Sequence, residues 1–236
     1  MDIDIKTSPT LTLTENIYLC QQFFISADPV RKIEILECLR KNLSVGFSKI
    51  ILLNERIYTQ DELNVNDEEM KMIEQIIINK RLSYNDFFKY VNESQLNGFM
   101  VLSNIDIFFD ASIFNLYKSS IKSKKSLIAL LRFDYSPPSI PLTLKTVTDC
   151  SQDTWIFQST FIPSPAKQFE IELGSLGCDN KIAYLLHALN YKIFNEPYFV
   201  RTYHYHKNPI RSYKESDRKI FKPYAYVTPK LKTCFT

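Results

Sequence analysis

Phe99-Met-Val-Leu-Ser-Asn-Ile-Asp-Ile-Phe-Phe-Asp110 is the stretch on which the reading of this chain turns. Apolar or small residues run from Phe99 to Ser103, break at Asn104-Ile105-Asp106, and resume before a second acid, Asp110. A largely apolar run of this length predicts one strand, residues 99–109, buried on both faces. Asn104 and Asp106 interrupt it, and a carboxylate at the end of a buried strand needs a partner. Two readings are open. The two side chains could share a divalent cation, with oxygens suited to Mg2+ or Mn2+, or they could form an Asx-type turn that closes the strand.

The flanking sequence alternates strand and helix signals. Residues 16–25 form a strand candidate, and Asp28-Pro29 opens a helix with Asp as N-cap and Pro at the first helical position. Val30, Ile33, Leu36 and Leu39 supply its expected apolar stripe. Residues 49–54 (Lys-Ile-Ile-Leu-Leu-Asn) read as a second buried strand. This strand–helix–strand order predicts parallel neighbours joined by a right-handed crossover. Residues 67–80 read as a helix with an acidic start, a basic end and Met70, Ile73, Ile76 and Ile77 on one face. Helices over 84–91 and 111–119 and a strand over 127–133, running into Arg132-Phe133-Asp134, continue the pattern. The expectation is an α/β fold with a mostly parallel central sheet flanked by helices.

After Tyr135 the chain becomes loop-rich. Ser136-Pro-Pro-Ser-Ile-Pro141 reads as a rigid loop, residues 169–173 as a strand, and Gly174-Ser-Leu-Gly-Cys-Asp-Asn180 as a turn opening a helix striped by Ile182, Leu185, Leu186 and Leu189. Residues 191–194 and 198–205 read as short strands. Loops at this density over a sheet usually build a site. The expected division is an arm over 1–15, one domain over 16–213 with halves 16–134 and 135–213, and a basic tail over 214–236.

Composition supports a folded, water-soluble domain: of 236 residues 45% are hydrophobic and 23% charged. A net charge of +3 gives no argument for nucleic acid. The charge is uneven, however. From Arg201 onward nine Lys or Arg face only Glu215 and Asp217, a local +7 that leaves −4 for the rest. Such a tail is usually a solvated surface, although it could make peripheral contact with an anionic membrane. Five Cys without C-x-x-C spacing indicate neither zinc nor a disulfide framework. With no signal-peptide pattern and no apolar run of spanning length, the expected location is cytoplasmic.

Four clusters carry candidate chemistry. Asn104 and Asp106 form the first. Gln152, Asp153 and Trp155 form the second: an aromatic face and polar neighbours suit a sugar ring, and a turn acid beside a core anchor is the plainer alternative. The third is Gly177-Cys178-Asp179-Asn180. Asp179 could be a general base presented by a tight turn, or a first-turn acid favoured by the helix dipole. Cys178 has no base beside it, so a thiol nucleophile is not indicated. The fourth is His204 and His206 with Lys207 and Arg211. On a strand the two His share a face and could complete a cation site, or they could simply be exposed. Arg132 would pair with an acid or meet a phosphate.

In this order the clusters resemble GT-A-fold nucleotide-sugar glycosyltransferases, and more narrowly small predicted transferase domains of viruses and bacteria. The likeness rests on Ser103-Asn-Ile-Asp-Ile-Phe-Phe-Asp110, Ala129-Leu-Leu-Arg132, Ser151-Gln-Asp-Thr-Trp155, Leu173-Gly-x-x-Gly-Cys-Asp-Asn180 and His204-x-His206-x4-Arg211, and covers residues 16–213. It implies a GT-A-like (Rossmann-like) sheet and a loop-rich acceptor half. In that family a strand-end Asp-x-Asp holds the cation that bridges the donor diphosphate. Asn104 departs from that form, which throws the metal onto Asp106, with His204 or His206 completing its shell.

The resemblance further implies Asp179 as general base if the reaction inverts. Gln22, Phe24 and Glu55 at the ends of the first two strands would lie near the nucleotide base, with Arg132, Lys207 and Arg211 also on the donor. Gln152, Asp153, Trp155 and Asn180 would meet the sugars. The implied activity is Mn2+- or Mg2+-dependent transfer of a sugar from a nucleotide diphosphate donor to a glycan or other hydroxyl acceptor, with no nucleic acid expected. A non-catalytic glycan- or nucleotide-binding relative is the first alternative, kept alive by Asn104. A nucleic-acid-binding protein using the tail is a distant second.

Overall fold

A computed structural model describes residues 15–136, 139–144, 151–205 and 220–230 of the chain. Strand β1 (Asn16–Gln21) leads into α1 (Pro29–Val45). Asp28 caps α1 by accepting from the Val30 amide at 2.9 Å, Pro29 fills the first helical position, and Gly46 ends the helix in the left-handed region. Then come β2 (Lys49–Asn54), two one-turn helices α2 (Gln60–Leu63) and α3 (Asp67–Lys71), β3 (Ile73–Ile77), α4 (Tyr84–Ser94), β4 (Gly98–Ser103) and β5 (Ile107–Phe109). The second half holds β6 (Ser126–Leu130), β7 (Phe133–Ser136), β8 (Ser139–Leu144), β9 (Thr154–Gln158), α5 (Cys178–Ala188), β10 (Lys192–Phe194) and β11 (Thr202–Tyr205).

The central sheet has seven strands in the order β10-β6-β9-β4-β1-β2-β3, all parallel except β9. The expected β1–α1–β2 unit is present, with Tyr18 opposite Lys49. β4 lies on the far side of β1, so the winding reverses there, and ligands of open α/β sheets bind at the carboxyl ends beside such a reversal. A second sheet, in the order β5-β11-β7-β8, stands at that edge. Both faces of the large sheet are covered. Ile17, Leu19, Phe99 and Val101 pack with Ile35 and Leu39 of α1. Cys20, Met100 and Leu102 pack on the other side with Phe87 and Phe88 of α4 and Ile182 and Leu186 of α5. Gly98 opens β4 at φ 139°, where a Cβ would come 2.2 Å from the Asn16 carbonyl oxygen, so no other residue fits without moving β1. Among the described residues no helix is long and apolar enough to cross a membrane.

Several local expectations are corrected. The 99–109 strand is two strands in different sheets, separated at Asn104-Ile105-Asp106. The 67–80 helix is five residues long. Its Asn66–Glu69 capping box starts a helix that the β-branched run from Ile73 continues as a strand paired with β2. Residues Ala111–Lys118 form a 3-10 helix started by Asp110. The 127–133 strand ends at Leu130 and the chain re-enters the second sheet at Phe133. The rigid loop at Ser136 is a hairpin between β7 and β8, with Pro137 and Pro138 outside the described residues. Residues 169–173 make a single bridge, Glu172 to Ser83, in place of a strand.

The α1 stripe is also rotated from its expected position. Val30 and Ile33 are exposed, while Glu34, Ile35, Cys38, Leu39 and Asn42 face inward. Within the basic tail, residues 220–230 dock on the body: the Ala225 amide donates to the Asn180 carbonyl at 2.9 Å, and Asn195 Nδ2 donates to the Val227 carbonyl at 2.9 Å.

Candidate active site

The topology brings three chain ends together. β9 is antiparallel, so its start lies beside the ends of β4 and β6, with Thr154 opposite both Ser103 and Leu130. Asp153, just before β9, therefore meets the turn that follows β4. Its carbonyl accepts from the Asn104 amide at 3.1 Å, and its Oδ1 accepts from Asn104 Nδ2 at 2.9 Å. Its other carboxylate oxygen is ion-paired with Arg132, just past β6, which also donates to Ser151 Oγ at 3.1 Å.

The Asn104–Asp106 turn is braced from below. Gln21, at the end of β1, donates to the Asn104 carbonyl at 2.8 Å and to Ser103 Oγ at 3.0 Å. Asn42 of α1 donates to the Ile107 carbonyl at 2.9 Å and accepts from the Phe109 amide at 3.1 Å. These buried amides satisfy backbone groups that the break between the sheets would strand. Asp106 is buried, and its Oδ2 takes Arg31 Nη2 at 2.6 Å and His204 Nε2 at 3.0 Å. Its Oδ1 is buried and has no hydrogen-bond partner among the described residues. Burial works to raise the Asp106 pKa, but the hydrogen bonds and charges of His204 and Arg31 hold it well below the usual carboxylate range.

His204 comes from β11, paired through Tyr203, opposite Phe108 and Phe133, between β5 and β7. Its Nδ1 stands 3.7 Å from Asp134 Oδ1, and the same oxygen is 3.7 Å from Arg132 Nε. Asp106, His204, Asp134, Arg132, Asp153 and Asn104 thus form a chain of polar contacts that begins and ends on the turn. Asp110, the second acid of the opening stretch, is used structurally: it accepts from the Ser112 amide, the Tyr203 hydroxyl and Arg201 at 2.7–2.8 Å.

The Gly174–Asp179 loop reaches the same place. Gly174 has φ 73°, and a Cβ there would come 3.6 Å from Asn104 Oδ1. Gly177 heads α5 at φ 87° without a side-chain cap, so Asp179 is a first-turn residue and not the cap itself. Its Oδ1 accepts from the Cys178 thiol at 3.3 Å. Burial pushes the Asp179 carboxyl up to about 6, with the Cys178 thiol and the charge of Arg132 pulling the other way. Burial also raises the Cys178 thiol well above its ordinary value, so it is no ready nucleophile.

Other candidates have different placements. Trp155 is fully buried, edge-on to Tyr84, with its indole N–H donating to the Gln152 carbonyl at 3.2 Å, so it offers no face to a sugar. Gln152 is buried beneath the loop. Asn180 holds the 220–230 segment through its own backbone and side chain. Gln22 staples the loop after β1, its amide bonded to the Lys80 carbonyl and the Leu82 amide at 2.8 and 2.9 Å. Phe24 and Glu55 are exposed at the ends of β1 and β2. His206, Lys207 and Arg211 lie outside the described residues.

Arg31, Glu34, Asn42, Gln21 and Asp134 were not singled out from sequence. A signal existed for three of them: Arg31, Glu34 and Asn42 share the spacing of Ile35, Cys38 and Leu39, which marks polar groups on the inward face of a helix.

No protein-family model and no curated protein matches the chain. Among solved structures the chain is similar to GalNAc-T7, solved with UDP, GalNAc and Mn2+, at a TM-score of 0.56 and 9% identity over 82% of this chain and 44% of that one. It is also similar to the mannosyltransferase PcManGT from Pyrobaculum calidifontis, solved with GDP-Man and Mn2+, at a TM-score of 0.54 and 9% identity over 88% of this chain and 61% of that one. The chain thus spans less than two thirds of either protein. At these identities the likeness carries the architecture, and the chain has the GT-A fold of these nucleotide-sugar glycosyltransferases.

Proposed function

We propose that the chain transfers a sugar from a nucleoside-diphosphate donor to a hydroxyl of a glycan or other acceptor, with Mn2+ or Mg2+ held by Asp106 and His204. The observation that carries this reading is the meeting of the Asp106 carboxylate and the His204 imidazole, 3.0 Å apart, at the carboxyl edge of β4 where the winding reverses. GalNAc-T7, solved with UDP and Mn2+, and PcManGT, solved with GDP-Man and Mn2+, support it.

The residues fit such an ion. A carboxylate oxygen and an imidazole nitrogen converge, and Asp106 Oδ1 is buried with no partner among the described residues. Asn104 could meet such an ion only through its Oδ1, because its Nδ2 donates to Asp153. Among the described residues no group of three or more His, Cys, Asp or Glu could hold a metal, so diphosphate oxygens and water would fill the remaining positions. When bound, the ion supplies positive charge to the departing diphosphate.

The chain's own residues do the rest. Asp153, held by Arg132 and Asn104, fixes the turn that presents Asp106. Asp179, its pKa raised by burial, takes the proton of the attacking hydroxyl, because a carboxylate pushed toward neutrality is a stronger base than an ordinary one.

The test is a thermal-shift screen of UDP, GDP and their sugar conjugates with and without Mn2+, followed by turnover of the pair that binds. A shift that needs both nucleotide and Mn2+, and is lost in Asp106→Ala, is expected. No shift for any pair in folded protein overturns the reading. Binding without turnover would select the non-catalytic relative, the reading for which Asn104 in place of an acid speaks.

A further inference from the structure

We propose that Arg31 is a built-in counter-ion of Asp106, which a divalent cation displaces and which then clamps the donor diphosphate. This rests on the cation site proposed above and assigns a role to a residue outside it. Arg31 Nη2 lies 2.6 Å from Asp106 Oδ2, the oxygen that His204 also contacts. A guanidinium and a divalent cation compete for the one carboxylate, since like charges a few ångströms apart in a half-buried site repel each other.

Arg31 also has a second anchor. Its Nη1 donates to Glu34 Oε2 at 3.2 Å, and Glu34, one turn further along α1, is 1% exposed. When Asp106 turns to the cation, Glu34 keeps the guanidinium at the mouth of the site. The Arg31 side chain is 22% exposed, enough to pivot while its stem stays packed. A planar guanidinium released beside a cation-bound diphosphate is the group best shaped to grip phosphate oxygens in pairs. One residue then serves two states: without the ion it neutralises a buried carboxylate that would otherwise face His204 alone, and with the ion it binds the donor.

Thermodynamic linkage makes this testable apart from turnover. The full chain is titrated with Mn2+ alone, followed by the electron paramagnetic resonance of free Mn2+. It is then titrated with UDP and with GDP at saturating Mn2+. Removing the competitor in Arg31→Gln is expected to tighten Mn2+ binding about tenfold and to weaken nucleoside-diphosphate binding about tenfold. Arg31→Lys keeps the charge and should keep the weaker Mn2+ affinity, which separates charge from any loosening of α1. Mn2+ binding of equal strength in wild type and Arg31→Gln overturns the proposal while leaving the cation site standing. Absence of Mn2+ binding in both overturns the site itself, and the proposal with it.

Discussion

His204 and Asp106 are 98 residues apart in sequence, and their side chains meet at 3.0 Å where the small sheet abuts the carboxyl edge of the large one. The contact exists because the chain changes sheets between β4 and β5, and β11 then pairs with β5. The site is therefore a product of topology. The turn supplies the acid and the second sheet supplies the imidazole.

If these two side chains act as one cation-binding unit, their losses are not additive. Asp106→Asn and His204→Ala should each lower donor turnover by about 10²-fold or more, and the double variant should fall little further. Release of nucleoside diphosphate at saturating Mn2+ measures this. Losses that multiply would mean that the two residues serve separate steps.

Asp179 gives a prediction whose sign separates its two readings. Its folded pKa is raised to about 6 by burial, against 3.8 for an ordinary Asp. A raised carboxyl contributes stability below the unfolded pKa, and that contribution is lost as pH climbs through the folded value. At pH 8 the ionised group is thus a liability, and Asp179→Asn should stabilise the fold by about 1–2 kcal/mol while abolishing turnover. A first-turn acid serving only the α5 dipole would do the opposite, with stability falling and turnover kept. Wild-type turnover should rise with pH through about 6, as the base ionises.

Elements with local signals were legible in the sequence. Asp28-Pro29 marked the start of α1, the apolar run 49–54 became β2, and their crossover gave the parallel pair with β1. The break at Asn104-Ile105-Asp106 was visible too, but its meaning was not: apolar residues on both sides made one strand the simplest reading, although the chain there leaves one sheet for another. Register between sheets depends on partners far away in sequence, as with His204 opposite Ile107. The inward phase of α1 was missed for a related reason. Its inward positions include Arg31, Glu34 and Asn42; Arg31 and Asn42 have partners in the 106–109 stretch and Glu34 pairs with Arg31, so apolar counting chose the exposed Val30 and Ile33 instead. Trp155 misled in the other direction, because a tryptophan beside an acid looks like a sugar platform until its burial is known.

Since Trp155 is wholly enclosed between the sheet and Tyr84, its removal should act on folding and not on sugar affinity. Trp155→Ala is expected to cost about 3–5 kcal/mol in urea unfolding. The milder Trp155→Phe should stay folded with an unchanged KM for the donor. A KM that rises severalfold in stable Trp155→Phe would return the ring to the binding surface.

Asn104 is the departure from the Asp-x-Asp form, and Asp153 accounts for it. An ionised carboxylate only accepts hydrogen bonds, and Asp153 Oδ1 needs a donor 2.9 Å away, which Asn104 Nδ2 is. An acid at position 104 would set two carboxylates against each other in a half-buried place, with Arg132 as their shared cation. Asn104→Asp should therefore destabilise the protein by about 2–3 kcal/mol, measured by urea unfolding. Exchanging the partners, Asn104→Asp with Asp153→Asn, rebuilds an amide–carboxylate pair of reversed polarity. It should recover about 1–2 kcal/mol as a coupling term. If Asn104→Asp is as stable as wild type, or if the exchange recovers nothing, the residue at 104 is not dictated by Asp153. The absent acid would then have to be explained by the chemistry of the site and not by its folding.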